Sequence, residues 1–194
     1  MKLIQFIGGL LAAAALSSPA SAVVFTGATG AGIDVTDYSA ASLASFDLDL
    51  HQLSGATLNF VLEASDFQSS TLGLNALVRN LSGAGIGQAS FSLTGIRFAQ
   101  AGSVTPAFGQ VDSVSHTDSA ASIRFGAPEY AEFHFGDPLT LAGKTNWQLD
   151  LTGLSAGSRF AVEAGVAEVP EPSSITLLVA GLALLGFGMH RRGK

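Results

Sequence analysis

The chain of 194 residues contains no cysteine. That excludes a disulfide framework, a thiolate zinc site, an iron–sulfur cluster and a cysteine nucleophile. Charge is scarce, at 12% of residues, and bases are scarcer than acids, nine against fifteen. Four of the nine bases lie at the ends: Lys2, Arg191, Arg192 and Lys194. Residues 23–168 keep Arg79, Arg97, Arg124, Lys144 and Arg159 against fourteen acids, a formal charge of −9. Phosphate binding needs clustered Lys and Arg, so no nucleic acid is expected as a partner. An acidic balance of this kind suits an exported domain.

Catalytic motifs are also missing. The four histidines, His51, His116, His134 and His190, form no H-x-x-x-H pair. Serine is abundant, yet no G-x-S-x-G elbow occurs. Gly83-Ala-Gly-Ile-Gly87 has the glycine of a phosphate loop without its terminal Lys-Ser/Thr, so it reads as a flexible turn. These absences give an expectation of no catalytic residues, no metal ligands and no enzyme activity.

What is present begins with residues 1–22. Lys2 is a minimal positive start, residues 3–16 are apolar, and Ser17-Ser18-Pro19 breaks the run. Ala20 and Ala22 then supply the A-x-A pattern of a secretory signal cut by signal peptidase after Ala22.

Residues 23–168 read as an all-β ectodomain. Phe46, Leu48 and Leu50 alternate with polar residues, as do Leu58, Phe60 and Leu62. Strict alternation is the pattern of a half-buried strand. Further strands are expected over residues 72–81, 89–98, 121–125, 129–135, 147–151 and 159–164, with a bulge or bend at Gly95. Eight or so short strands with Gly- and Ser-rich turns predict an antiparallel, jelly-roll-like β-sandwich. Thirteen Phe and the single Trp147 are the expected filling between the sheets. Residues 99–120 have few large apolar groups, and read as a long loop or a pair of edge strands where a binding surface would easily sit.

A weak repeat runs through this domain. Residues 48–64, opening on Leu48-Asp-Leu-His-Gln-Leu-Ser-Gly, resemble residues 149–164, and Leu77-Val-Arg-Asn-Leu-Ser-Gly is a partial third copy. Each copy reads as a hairpin whose turn uses Ser and Gly. The copies are unevenly spaced, which argues against a solenoid.

Candidate site residues are dispersed. Glu132 and His134 alternate on one strand face with Asp137 just beyond, and His116 lies near Asp118; both groups read as solvated surface. Asp34, Asp37, Asp47 and Asp49 form a local acidic excess that structural calcium would use, although the EF-hand order is absent. No other cofactor is implied. Asn80-Leu-Ser82 matches a glycosylation acceptor, which a turn explains as well. Tyr38, Tyr130 and Trp147 are the aromatics a carbohydrate site would use, with core packing favoured for Trp147. The threonines are scattered rather than in rows, which gives no support for ice binding.

The last segment, residues 169–194, has three parts in order. Val169-Pro-Glu-Pro172 comes first, an apolar run over 175–189 second, and His190-Arg191-Arg192 third. The fifteen-residue run would extend about 22 Å as a helix. A bilayer core of about 30 Å wants roughly twenty residues, so this is a marginal transmembrane helix. The basic end fits positive-inside retention. The ordered set resembles the PEP-CTERM sorting signal of Gram-negative bacteria. The resemblance implies recognition of Pro170, Glu171 and Pro172 by an exosortase, a membrane protease or transpeptidase. It also implies anchoring in the inner membrane through residues 175–189 and retention by Arg191 and Arg192. Members of that family are linked to envelope, exopolysaccharide and biofilm matrix. The expected function is therefore a structural or adhesive protein of the cell surface or matrix, anchored transiently and then surface-bound or released. The alternatives are a carbohydrate- or ice-binding module and a secreted hydrolase with a dispersed site.

Overall fold

The computed structural model describes residues 23–168. The signal helix expected at 1–22 and the transmembrane helix expected at 175–189 lie outside the described residues, as do Ala20, Ala22, Pro170, Glu171, Pro172, Arg191 and Arg192. Among the described residues no helix is long and apolar enough to cross a membrane.

Among the described residues, thirteen strands form two sheets. The first sheet contains β1 (Val24–Thr29), β4 (Gly55–Val61), β13 (Arg159–Glu168), β6 (Ile86–Thr94), β10 (Ala120–Glu129) and β9 (Gln110–His116), in that spatial order. The second runs β2 (Ile33–Asp37), β3 (Leu43–Leu50), β5 (Thr71–Asn80), β11 (Glu132–Phe135), β8 (Val104–Pro106). The first half of β5 also pairs β12 (Trp147–Asp150), which in turn pairs β7 (Arg97–Gln100).

Period-2 alternation sends one face of each strand into the gap between the sheets. Phe46 of β3 meets Phe60 of β4 at 6.0 Å between ring centroids, and Phe91 of β6 stacks on Phe135 of β11 at 3.9 Å. Phe125 and Phe133 make a third contact across the gap, at 5.3 Å. Trp147, fully buried, stacks on Phe135. Burying each such side chain contributes roughly 1.5–3 kcal/mol. Trp147 and most of the described Phe therefore fill the core as the sequence predicts, whereas Phe108 is exposed.

The layering matches the expected sandwich; the connectivity departs from an antiparallel jelly roll. Every pairing among the described strands is antiparallel except β3 with β5, which run parallel in register from Leu43↔Gly73 to Leu50↔Asn80. The chain reaches β5 from β3 by crossing into the first sheet as β4 and returning through a short 3-10 helix, Ala64–Gln68. Asp66 on that helix is fully buried. Its carboxylate accepts hydrogen bonds from the Ser42 and Glu63 backbone N–H groups, at 3.0 and 2.8 Å, and so fastens the return to the start of β3.

The repeats are not hairpins. Each joins a strand of the second sheet to a strand of the first: β3 to β4, β12 to β13, and β5 to β6. In the two full copies the physical reason is a leucine on each side of the turn; in the partial copy the corresponding Leu81 is exposed. Leu50 and Leu151 are buried, and Leu53 and Leu154 pack against the same core, so the chain turns through the core rather than back along its own sheet. The two full copies end as antiparallel neighbours, with Phe60 opposite Phe160 and their rings stacked at 5.1 Å.

Gly95 is the expected bend, and it is a corner between sheets. Its φ of +81° suits glycine, and a Cβ there would stand 2.6 Å from the Arg159 carbonyl. The chain leaves the first sheet at Thr94 and enters the second at Arg97. Residues 99–120 supply the short strand β8 and the edge strand β9, as the edge-strand reading anticipates.

The pairings fix what gathers at each end of the sandwich. One end holds the turns 30–32, 51–54, 81–85, 107–109 and 130–131, together with the end of β13 at Glu168. The start of β1, opposite Val61, lies at the other end.

Candidate functional site

The second sheet turns a polar face outward. Because Phe46, Leu48 and Leu50 point into the core, Ser45, Asp47 and Asp49 point out, and the parallel register sets them beside Asn75, Leu77 and Arg79. Ser45 Oγ donates to Asn75 Oδ1 at 2.6 Å. The Asn75 amide donates to Asn146 Oδ1 at 3.0 Å and to the Asp137 carbonyl at 3.4 Å. These bonds fold the segment 136–146 over the sheet. The result is a cleft of about 450 Å³, with Tyr38 and Leu139 exposed at its rim and Asp47, Asn75, Arg79 and Asn146 within.

Arg79 is held from two sides. One guanidinium nitrogen donates to Asp49 at 2.8 Å and the other to Asp47 at 2.5 Å. The Asp49 hydrogen bond, then the Asp47 hydrogen bond and the attraction of both carboxylates, raise the Arg79 pKa against the opposing cost of burial. The polar face continues onto β11, where Glu132 lies opposite Arg79 and His134 opposite Leu77. His134 Nε2 and Glu132 Oε1 are 3.5 Å apart. His134 is buried and Glu132 half-buried, so this pair is not the fully solvated face the sequence predicts. Asp137 is drawn off to its own turn, where it accepts the Leu141 N–H at 2.7 Å.

Both carboxylates in the cleft are thus engaged, Asp47 by Arg79 and Asp137 by the Leu141 amide. The cleft offers a set of fixed donors and acceptors beside an exposed aromatic ring. That combination suits a hydroxyl-rich ligand: hydroxyls pair with amide and carboxylate groups while a ring face packs on tyrosine.

The acidic excess proposed for calcium is not gathered at one point. Asp34 pairs with His51 at 3.0 Å, Asp37 accepts the Ser39 N–H at 3.1 Å, and Asp47 and Asp49 belong to Arg79. Among the described residues no group of three or more His, Asp or Glu is placed to hold a metal ion. His116 and Asp118 are both exposed, as expected of solvated surface. The His116 ring meets Trp147 edge-on at 5.7 Å, and the Asp118 carbonyl accepts the Phe98 N–H at 2.7 Å. Trp147 is core, as its alternation with Leu149 indicates, and its Nε1–H has no hydrogen-bond partner. Tyr38 and Tyr130 are exposed but stand at opposite ends of the sandwich. Asn80 is buried and its amide is engaged by the Ala84 and Glu129 carbonyls at 2.6 and 3.2 Å, which rules out glycan attachment in the folded domain.

Sequence reading misses Glu129. It is fully buried at the end of β10, and its carboxylate accepts three backbone N–H groups: Phe108 at 2.9 Å, Gly109 at 2.8 Å and Ala131 at 2.8 Å. Burial pushes its pKa up, but the amides of Gly109, Ala131, Phe108 and Glu132 outweigh that and hold it below the usual carboxylate range. No local signal marks it, because two of its donors are about twenty residues away in sequence.

Comparison with known proteins bears on the other end of the chain. Residues 168–192 match the family model of the PEP-CTERM protein-sorting motif. No curated protein and no solved structure matches the chain. The match starts at Glu168, the last residue of β13, so the sorting motif adjoins the sandwich without a spacer. Its presence implies processing by exosortase, a membrane enzyme, after export and transient membrane anchoring. The chain thus carries a PEP-CTERM protein-sorting motif directly after a two-sheet β domain, and that motif implies an extracellular protein sorted by exosortase.

Proposed function

We propose that the delivered β-sandwich is non-catalytic and serves a structural or adhesive role in the envelope or the biofilm matrix. The observation that carries this reading is how the domain uses its buried acids. Asp66, Asp47 and Glu129 are each bound to backbone amides or to Arg79, in geometries that fasten loops to sheets. The proposal includes removal of residues 1–22 by signal peptidase after Ala22, reading of Pro170, Glu171 and Pro172 by exosortase, and retention by Arg191 and Arg192. Fractionation of a producing culture tests it. The processed protein is expected to sediment with washed exopolysaccharide, and its deletion to weaken the cohesion of that matrix. A protein found wholly in the soluble medium, with matrix cohesion unchanged in the deletion, contradicts the role.

The cleft favours a second reading, carbohydrate binding. Exposed Tyr38 beside Asn75, Arg79 and Asn146 combines a ring face with hydroxyl-pairing groups. On a glycan array the protein is then expected to retain a subset of neutral oligosaccharides, and Tyr38→Ala to lose at least tenfold in signal. Equal signal from wild type and Tyr38→Ala removes the cleft from the account. Release of shortened oligosaccharides would contradict the non-catalytic reading itself.

A further inference from the structure

We propose that, while the anchor is in place, the end of the sandwich from which β13 emerges rests against the membrane surface and contacts lipid through Phe108, Tyr130 and Leu81. This rests on the transient anchoring that the sorting motif implies, and adds an orientation and a contact surface to it.

Chain length sets the distance. β13 ends at Glu168, in register with Ile86, which in turn faces Glu129. Six residues, 169–174, separate Glu168 from the start of the apolar run, and two of them are proline. Fully extended, six residues span roughly 20 Å. The exit end is therefore tethered close to the bilayer, and the end where β1 starts faces away.

Charge sets the chemistry. Residues 23–168 carry a formal charge of −9. Yet the five turns at the exit end, 30–32, 51–54, 81–85, 107–109 and 130–131, contain no Asp, Glu, Lys or Arg. The turns at the far end include Glu63, Asp66, Asp118, Asp137 and Lys144. An anionic lipid surface repels acidic loops; the loops of this end carry no acid, and the exposed acids Glu168 and His51-paired Asp34 lie on strands β13 and β2.

Exposure supplies the contact. Phe108 is 82% exposed, Tyr130 59% and Leu81 53%. Phe and Tyr rings settle where headgroups meet hydrocarbon, the tyrosine keeping its hydroxyl in water. The three side chains hang from one rigid hub. Glu129 holds the Phe108 and Gly109 amides with one carboxylate oxygen and the Ala131 amide with the other. The Asn80 N–H donates to the Ala131 carbonyl at 2.6 Å, which ties in the turn that carries Leu81. A buried carboxylate thus presents two aromatic rings that the core does not use.

The test uses the full chain reconstituted into phosphatidylethanolamine–phosphatidylglycerol vesicles containing doxyl-labelled lipid. Phe108→Trp reports the exit end and Tyr38→Trp the far end. Buried Trp147 gives the same background in each. With the protein floating with the vesicles, Phe108→Trp emission is expected to be quenched at least twofold more than Tyr38→Trp emission. Flotation with equal quenching at the two positions, or with none at Phe108→Trp, overturns the lipid contact and leaves the patch to a protein partner. Failure to float defeats the anchoring itself, and the orientation with it.

Discussion

Glu129→Ala is expected to destabilise the β domain by about 3 kcal/mol or more, the largest effect of any single polar substitution in it. The change strands the Phe108, Gly109 and Ala131 amides beneath the 107–109 and 130–131 turns. Each buried donor left without a partner costs about 1–3 kcal/mol, and the vacated side-chain volume adds a cavity. Urea unfolding measures the loss as a lowered midpoint; an unchanged midpoint would refute the hub described for Glu129. The same carboxylate gives a pH dependence of known sign. Its folded pKa is lowered relative to the unfolded chain, since the backbone amides outweigh burial. Its contribution is therefore present above the ordinary glutamate pKa and lost as pH falls through the lower folded value. Wild-type stability should drop on acidification across that interval, and Glu129→Gln should show a shallower drop. Equal slopes would mean that Glu129 does not carry the effect.

The second large effect is in sorting. Glu171→Ala is expected to leave the unprocessed chain in the membrane fraction, with processed protein reduced at least tenfold. Pro170 and Pro172 have no backbone N–H, so the Pro-Glu-Pro element is poor in donors. The Glu171 carboxylate is its single ionic feature. Glu163→Ala, on an exposed position of β13, is the matched control because it removes the same charge from the folded domain. Pulse labelling followed by fractionation reads both. Normal processing of Glu171→Ala would remove Glu171 from the recognition element.

The strands with alternating large apolar residues, β3, β4, β5 and β12, were legible because burial imposes period two on their sequences. So was the core role of Trp147, through Leu149 and Leu151 on its face. The turn positions of the repeats were legible, and their geometry was not. Leu-Ser-Gly marks a turn equally well whether the chain returns within its sheet or crosses to the other one. In the two full copies that choice goes with Leu53 and Leu154 finding the core, which is a long-range fact. The parallel pairing of β3 with β5 was hidden for the same reason, since β4 intervenes in sequence but lies in the other sheet. The cleft was only partly legible. Asp47, Asp49 and Arg79 stand out by charge, but their meeting depends on the parallel register. Glu129 was opaque because its partners are backbone amides, which carry no residue signature. The sorting motif was legible throughout, because it is local and ordered along the chain.

The most direct measurement is the intact mass and terminal sequencing of the protein recovered outside the cell. The expected product begins at Val23, ends within or near Pro170-Glu171-Pro172, and lacks the apolar run 175–189 and the basic end. An extracellular product that still carries residues 175–194 through Lys194 would contradict transient anchoring and exosortase processing.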